Sequence, residues 1–277
     1  MLPGDRFAEL TRLGNQHRLE GNSVAAEPLL REALAIAESV FPHERLRIAA
    51  ALNGLGLVYK DLADYDRARA FYERALSLVE RAVESNDAEV ATLYHNLGGI
   101  EHARSNYADA EPFARKGLQI RARLVDADDT ALAADMVALA AILDGQQKFD
   151  EAERLYVDAL QIFERSPETN VGEIAVVLND LGAHYAQRDQ VDRAAELLVR
   201  AAELKAHALG PRHPDVGVTF NNLAMVHKRR GDFARATLLY RDAVNIFEEA
   251  LGPDHPKAVA CRRNLARCDA DARERHV

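Results

Sequence analysis

The sequence has 277 residues, of which 48% are hydrophobic and 29% are charged, and this composition is typical of a folded protein and not of a disordered or low-complexity chain. Its formal net charge of -9 at pH 7 disfavours a nucleic acid partner, because affinity for a phosphate backbone depends on clustered Lys and Arg. Residues 1–5 contain no basic region followed by an apolar run, and no long apolar stretch occurs elsewhere, so we expect no membrane partner and a cytoplasmic location.

Leucine recurs every 42 residues along the chain, and each of these ladder leucines is followed by glycine or alanine. A small residue beside a large one is typical of a place where two helices cross closely. The seven pairs are Leu13–Gly14, Leu55–Gly56, Leu97–Gly98, Leu139–Ala140, Leu181–Gly182, Leu223–Ala224 and Leu265–Ala266.

Two further ladders of small residues follow in the same register. Around each ladder leucine the apolar residues recur at helical spacing, as at Leu178, Leu181 and Tyr185, so each period predicts a hairpin of two helices. One ladder consists of Ala26, Ala68, Ala110, Ala152, Ala194 and Ala236, and the other consists of Ala33, Ala75, Gly117, Ala159, Ala201 and Ala243.

Turn residues separate the predicted helices. Within the hairpins, a turn and a helix N-cap are expected at Gly21–Asn22, Asp64, Asn106 and Gly231–Asp232, whereas Lys148 and Gln190 occupy the same place and are poor caps. Between hairpins, Gly210 to Pro214 and Gly252 to Pro256 each combine a glycine suited to a helix end with a proline suited to a helix start.

No Pro-, Gly- or Ser-rich linker divides the chain, which favours one continuous array over residues 1–277. The predicted hairpins span approximately residues 3–42, 43–85, 86–127, 128–168, 169–211 and 212–253, and a capping helix follows at 255–275. The cap is expected to be charged on its outer face, as the end of a stack of repeats requires.

These motifs resemble the tetratricopeptide repeats (TPR) of the 42-residue form found in kinesin light chain. The family pattern is clearest at Asn221 to Ala224, Gly231 to Phe233, Ala236 and Leu251 to Pro256, and it has decayed at Pro42–His43, Ser85–Asn86 and Ser166–Pro167. The resemblance implies an all-α fold, a right-handed superhelical TPR solenoid of six helical hairpins plus a C-terminal capping helix. It also implies that the first helix of each hairpin lines a concave groove.

No catalytic or metal-binding motif is complete, so we expect no enzyme activity, cofactor or metal. His43–Glu44 begins like a zinc-protease helix, but Arg47 stands where the second metal-binding His is required. His213 and His255 precede prolines at predicted helix starts and are interpreted as turn residues, while Cys261 and Cys268 share one helix face and are interpreted as buried small residues.

The first helices carry polar residues that the core does not need, mainly amides, at the positions next to each ladder leucine and one to two turns after it. An asparagine amide offers both a donor and an acceptor and can therefore pair with a peptide backbone. The predicted peptide-binding residues are Asn53, Lys60, His95, Asn96, His102, Asn179, Asp180, Gln187, Asn221, Asn222, Lys228 and Arg229.

The resemblance to kinesin light chain implies that five of these residues, Asn53, Asn96, Asn179, Asn221 and Asn222, contact the backbone of a bound peptide. An alternative is that the asparagines join neighbouring repeats to each other or bind water. The fourth repeat departs from the pattern, because Val137 and Ala138 occupy the two positions before its leucine.

The sequence therefore predicts a scaffold that binds a protein or peptide segment in its groove. The alternative is a self-association or regulatory module of a larger signalling assembly, in which the ends or the convex face of the array pack against another copy, giving a homo-oligomer, or against an effector subunit.

Overall fold

The computed structural model describes residues 2–80, 87–124 and 129–274, and every regular element in these ranges is an α-helix. The all-α prediction is confirmed. The helices are α1 (Pro3–Leu19), α2 (Ser23–Val40), α3 (Arg45–Asp61), α4 (Tyr65–Val79), α5 (Asp87–Ala103), α6 (Tyr107–Arg121), α7 (Asp129–Gly145), α8 (Phe149–Phe163), α9 (Val171–Gln187), α10 (Val191–Leu209), α11 (Pro214–Arg229), α12 (Phe233–Leu251) and α13 (Pro256–Glu274).

The chain forms two compact units, Met1–Gln147 with α1 to α7 and Lys148–Val277 with α8 to α13. Within each unit every helix packs against the next one along the chain, and α1 with α3, α5 with α7 and α9 with α11 also touch. Several predicted repeat boundaries, at residues 85, 86, 127 and 128, and the predicted end of the cap at residue 275 lie outside the described residues. The division of the chain into six repeats of one array therefore stays a prediction.

At Gly14 and Gly182 the small residue after the ladder leucine lies where the two helices of a hairpin cross. A Cβ atom at Gly14 would lie 2.6 Å from Leu30 Cγ, and one at Gly182 would lie 2.6 Å from Leu198 Cγ. Leu30 and Leu198 are fully buried and each follows its glycine by sixteen residues. The crossing distance is thus set by the absence of a side chain on the first helix and a large side chain on the second.

The two ladders of small residues on the second helices lie in the core. Ala26, Ala68, Ala152 and Ala236 have no exposed surface, and neither have their counterparts in the other ladder, such as Ala159. Both ladders are therefore buried at the same places of the second helices.

Each hairpin turn contains one residue with a left-handed backbone, and these residues are 42 apart. Their φ angles are 79° at Gly21, 58° at Ala63, 61° at Ser105, 61° at Gln147, 60° at Asp189 and 80° at Gly231. Left-handed residues commonly end helices and are usually glycine. Four of the six turns adopt this conformation without glycine, which the sequence did not indicate.

The predicted N-caps differ in what their side chains do. Asn22, Asp64 and Asp232 accept hydrogen bonds from Ala25 N, Arg67 N and Arg235 N, respectively. Asn106 occupies the N-cap position of α6, as the sequence indicates, but its side chain makes no cap bond and its Nδ2 donates to Glu101 Oε2 at 2.9 Å. This bond joins the Asn106 amide group to a buried carboxylate of α5.

The two histidines before proline serve their turns. His213 Nδ1 accepts from Asp215 N and His255 Nδ1 accepts from Lys257 N, each at 3.2 Å. Cys261 and Cys268 are free thiols and both are buried, and burial raises the pKa of Cys261 to about 11. These four residues are structural, as the sequence indicated.

The close crossing at Gly182 makes a prediction about stability. Gly182→Leu should lower the free energy of unfolding by about 1–3 kcal/mol or more, because the added side chain must displace Leu198 from a packed core. The measurement is urea denaturation followed by circular dichroism. Gly172→Leu on the same helix is the control, because no atom lies within 4 Å of a Cβ placed there; equal effects of the two variants would show that the crossing is assigned to the wrong residue.

Candidate functional site

The predicted binding residues lie on the first helices of the hairpins in both units. In the first unit they belong to α3 and α5, and in the second unit they belong to α9 and α11. Asn96 and Asn179 are buried, with 6% and 7% of their surfaces exposed, whereas Gln187 and Arg229 are exposed and the other eight are half-buried. We call the side of the first helices that carries these residues the first-helix face of each unit.

Asparagines of neighbouring first helices are hydrogen-bonded to each other in three places. Asn96 Nδ2 donates to Asn53 Oδ1 at 2.8 Å, Asn222 Nδ2 donates to Asn179 Oδ1 at 3.2 Å, and Asn264 Nδ2 donates to Asn221 Oδ1 at 3.0 Å. Each of these amide pairs joins residues 43 apart. This geometry agrees with the alternative in which asparagines join neighbouring repeats, while their contact with a peptide stays a prediction.

Asn264 was not among the predicted residues, although it completes the third amide pair. It directly precedes the ladder leucine Leu265, as Asn96 precedes Leu97 and Asn222 precedes Leu223. That spacing could have identified it. The helix that contains it, α13, had been interpreted only as a cap.

The amide pair of the first unit leaves hydrogen-bonding groups available. The bond between Asn96 and Asn53 is the only one that either side chain makes within the described residues. The Nδ2 group of Asn53 and the Oδ1 atom of Asn96 therefore remain as a donor and an acceptor on neighbouring helices. In the second unit Asn179 is more fully used, because its Nδ2 donates to Asp180 Oδ1 and its Oδ1 also accepts from Thr219 Oγ1.

A cavity of about 280 Å³ lies beside Asn53 on the first-helix face of the first unit. Side chains of α1, α3 and α5 supply most of its wall. Burial raises the pKa of Glu89 at this site. The polar lining residues are Thr11, Asn15, Asn53, Glu89 and Thr92, and the apolar ones include Leu57, Val79 and Leu93.

Lys60 and His102 are two basic residues of the same face. The Lys60 ammonium lies over Gly99, 3.5 Å from where a Cβ atom would stand. Burial lowers the pKa of Lys60, and burial together with the charge of Lys60 lowers the pKa of His102. Neither residue has a carboxylate within ion-pair distance among the described residues.

His95 takes part in a buried charge network that the sequence did not reveal. Its Nδ1 lies 2.8 Å from Asp135 Oδ1, and Arg121 Nε donates to Asp135 Oδ2 at 2.6 Å. Arg121 and Asp135 are 8% and 4% exposed. The available signal was a charged residue at a position that is apolar in the two adjacent repeats, since Val79 and Phe163 lie 42 residues to either side of Arg121.

Lys228 and Arg229 are held by partners within the second unit. Lys228 Nζ lies 2.7 Å from Asp271 Oδ2, and an Nη1 group of Arg229 donates to the carbonyl oxygen of Ala186. These contacts connect α11 with α13 and with α9. Each cation keeps further N–H groups beside these contacts.

Among the described residues, no group of three or more His, Cys, Asp or Glu side chains is placed to hold a metal ion. A helix long and apolar enough to span a membrane does not occur in the same ranges.

Hairpins that stack through repeated small-residue crossings define a helical-repeat protein. The chain belongs to the tetratricopeptide repeat family, whose sequence model matches residues 6–81, 89–165 and 173–249. No curated protein matches the sequence.

Three solved structures share the fold. BtubC (BKLC) from P. vanneervenii is 23% identical with a TM-score of 0.64, and the match covers 92% of this chain and 94% of BtubC. A Rap protein complexed with competence and sporulation factor is 16% identical with a TM-score of 0.69, covering 99% of this chain and 78% of that one. The apo form of RapI is 14% identical with a TM-score of 0.64, and 97% of each chain is covered. At these identities the similarity concerns the fold alone.

The amide pair of the first unit should contribute to stability as a pair. The double variant Asn53→Ala/Asn96→Ala should lower the free energy of unfolding by less than the sum of the two single variants, because each single change already removes their hydrogen bond. The expected coupling energy is about 0.5–1.5 kcal/mol. Chemical denaturation of the double-mutant cycle measures this energy. Asn53→Ala combined with Asn222→Ala, which belong to different units, is the control and should be additive; coupling of similar size in both cycles would contradict the pairing.

The buried Arg121–Asp135 pair should be sensitive to the loss of one partner. Asp135→Ala should destabilise the protein by about 3–5 kcal/mol, because it leaves a buried guanidinium without its carboxylate, and Arg121→Met/Asp135→Leu should recover most of that loss. Urea denaturation measures both. Glu32→Ala removes the exposed partner of Arg6 and should cost no more than about 1 kcal/mol; a similar cost for Asp135→Ala would show that the buried pair is unimportant.

Proposed function

We propose that this protein is a scaffold that binds a protein or peptide segment on the first-helix faces of its units. The observation that carries the proposal is the open donor on Asn53 and the open acceptor on Asn96, side by side on neighbouring helices and next to a cavity. A protein presents such groups at its surface at no cost to folding, since water satisfies them until a partner displaces it.

The arrangement suits a peptide in extended conformation. A peptide backbone carries one N–H and one C=O for each residue, so one residue of a bound segment can accept from Asn53 and another can donate to Asn96. The contact is independent of the side chains of the segment. Recognition of sequence would then depend on the cavity and on the charges around it.

The cavity suits one side chain of such a segment. Its volume of about 280 Å³ is slightly below the range of about 300–1,000 Å³ that is typical of small-molecule sites. Leu57 and Leu93 provide apolar contacts, while Thr11 and Asn15 provide polar ones. A partly apolar side chain with a polar end fits this lining.

The comparison with a Rap protein supports the proposal in a limited way. That protein was crystallised in complex with competence and sporulation factor, so a chain of this fold binds a partner in at least one case. The ligand and its binding residues do not carry over at 16% identity. A cytoplasmic location and a protein or peptide partner stay part of the proposal.

The test is selection of peptides from a random display library by the full chain, followed by measured affinities for the best binder. Asn53→Asp keeps the oxygen that accepts from Asn96 but removes the open N–H donors, and Ala50→Leu narrows the cavity that Ala50 lines. Each should weaken binding at least tenfold. Gln119→Glu adds the same charge as Asn53→Asp on an exposed position of α6 and should leave affinity unchanged.

Two results would contradict the proposal. If no peptide is enriched, or if Gln119→Glu weakens binding as much as Asn53→Asp, the first-helix face is not the binding surface. Light scattering on the same samples examines the alternative of self-association, for which Leu2, Leu19 and Val24 of the first hairpin, each more than 70% exposed, are available contacts. A mass that rises with concentration while no peptide binds would favour that alternative.

A further inference from the structure

One pair of positions recurs in every repeat, and at Arg121–Asp135 and Lys205–Thr219 its two side chains are in direct contact. It consists of a residue near the end of a second helix and the residue fourteen later in the following first helix, and we call these two residues a gap pair. Within the described residues the gap pairs are Ala37 with Ala51, Val79 with Leu93, Arg121 with Asp135, Phe163 with Val177, Lys205 with Thr219, and Phe247 with Cys261.

Five of the six gap pairs contain no charge that lacks an ion-pair partner. Four consist of apolar residues, all buried, and the Arg121–Asp135 pair is a salt bridge. The exception is Lys205 with Thr219 in the second unit, where the ammonium donates to a hydroxyl oxygen at 3.1 Å. Lys205 is thus a cation without an anion at a place where the first unit contains both.

Lys205 is also buried, with only 7% of its surface exposed, and Thr219 is fully buried. Of the three N–H groups of the ammonium, one has a hydrogen-bond partner among the described residues, and no carboxylate in those ranges lies within 4.0 Å of it. A buried ammonium without a counter-ion is unfavourable. Such a group is expected to gain from an anion supplied by a ligand.

The polar groups around Lys205 connect it to the first-helix face. Thr219 Oγ1 lies 3.1 Å from Asn179 Oδ1, and the same oxygen atom of Asn179 accepts from Asn222 Nδ2. A chain of hydrogen bonds therefore runs from the ammonium to two of the predicted binding residues. In the first unit the corresponding chain runs from Arg121 through Asp135 to His95.

More distant charges act on Lys205 in both directions. Burial lowers its pKa, the carboxylates of Asp215 and Asp180 raise it, and Lys257 lowers it further. The burial effect is the largest, so the pKa of Lys205 lies below its ordinary value. A carboxylate brought next to the ammonium would reverse this shift by favouring the charged form.

We propose that Lys205 binds a carboxylate of the segment held on the first-helix face of the second unit. The first unit supplies the precedent, since the equivalent space there accommodates the Asp135 carboxylate against Arg121 and His95. The lysine side chain is long and flexible, so its ammonium can leave Thr219 and reach toward the surface between Asn179 and Asn222. The inference rests on the proposed function, because it names what one residue of the bound segment must carry.

The test uses two variants of the full chain and a charge-matched control. Lys205→Met removes the ammonium and keeps an unbranched apolar side chain, and Thr219→Asp builds into the second unit the internal counter-ion that Asp135 provides in the first. Lys116→Met removes the same charge from an exposed position of α6 in the first unit. Thermal melting first establishes that each variant is folded. If Thr219→Asp does not fold, Lys205→Met alone tests the inference.

The first readout is the enrichment of Asp, Glu or a C-terminal carboxylate in selected peptides. The peptides come from two random libraries, one with free and one with amidated C-termini. Replacing the selected Asp or Glu by Asn or Gln should weaken binding to the wild type and to Lys116→Met at least tenfold. The same replacement should weaken binding to Lys205→Met and to Thr219→Asp less than twofold. If binders are enriched only from the library with free C-termini, the carboxylate that Lys205 binds is the C-terminal one. Binding without any acid preference, or an equal loss in all proteins, would overturn the inference and leave the proposed function intact.

The second readout needs no peptide. In protein with ¹³C-labelled lysine, sodium acetate should shift the Lys205 signal saturably relative to sodium chloride of equal concentration, and it should not do so in Thr219→Asp. Equal responses to the two salts would show that Lys205 does not bind a carboxylate. If acetate shifts the signal but neither library yields a binder, the anion site stands and the proposed function fails.

Discussion

The structure depends on the close crossing of two helices within each hairpin. At Gly14 and Gly182 the first helix has no side chain where Leu30 and Leu198 of the second helix fill the crossing. Because buried atoms are packed as densely as in a crystal, this contact fixes the distance between the two helices of a hairpin. The sequence repeats these positions at intervals of 42 residues, so residues at equivalent positions of the repeats can be compared.

Equivalent positions can carry different chemistry without changing the fold. The gap pair is filled by aliphatic side chains at Val79 and Leu93, by an ion pair at Arg121 and Asp135, and by an ammonium and a hydroxyl at Lys205 and Thr219. The aliphatic version leaves a cavity, the ion pair neutralises itself, and the third version leaves a charge. A repeated scaffold can thus bind a ligand where the side chains of a gap pair leave a cavity or a charge without a partner.

The amide pairs show that structural and binding roles need not exclude each other. A single hydrogen bond between Asn96 and Asn53 uses one donor and one acceptor of two groups that each have more. The remaining N–H of Asn53 and the oxygen atom of Asn96 are held in place by the bond that joins the repeats. Pre-orientation of this kind lowers the entropy lost when a partner binds.

The sequence by itself determined the fold, because the 42-residue period, the helical spacing of apolar residues and the ladders of small residues are local patterns that recur in each repeat. It located the first helices and the residues on one of their faces, and it identified His213, His255 and both cysteines as structural.

The sequence did not determine how the polar residues are paired. The bonds of Asn96 with Asn53, of Arg121 with Asp135 and of Lys205 with Thr219 join different helices, and their partners depend on the distance between those helices. The sequence likewise placed Asn106 at the N-cap of α6 but did not show that its side chain bonds to the buried Glu101 carboxylate and makes no cap bond. Hydrogen bonds and charges act over a few ångströms, so only the tertiary structure decided which of these groups are satisfied and which remain open to a partner.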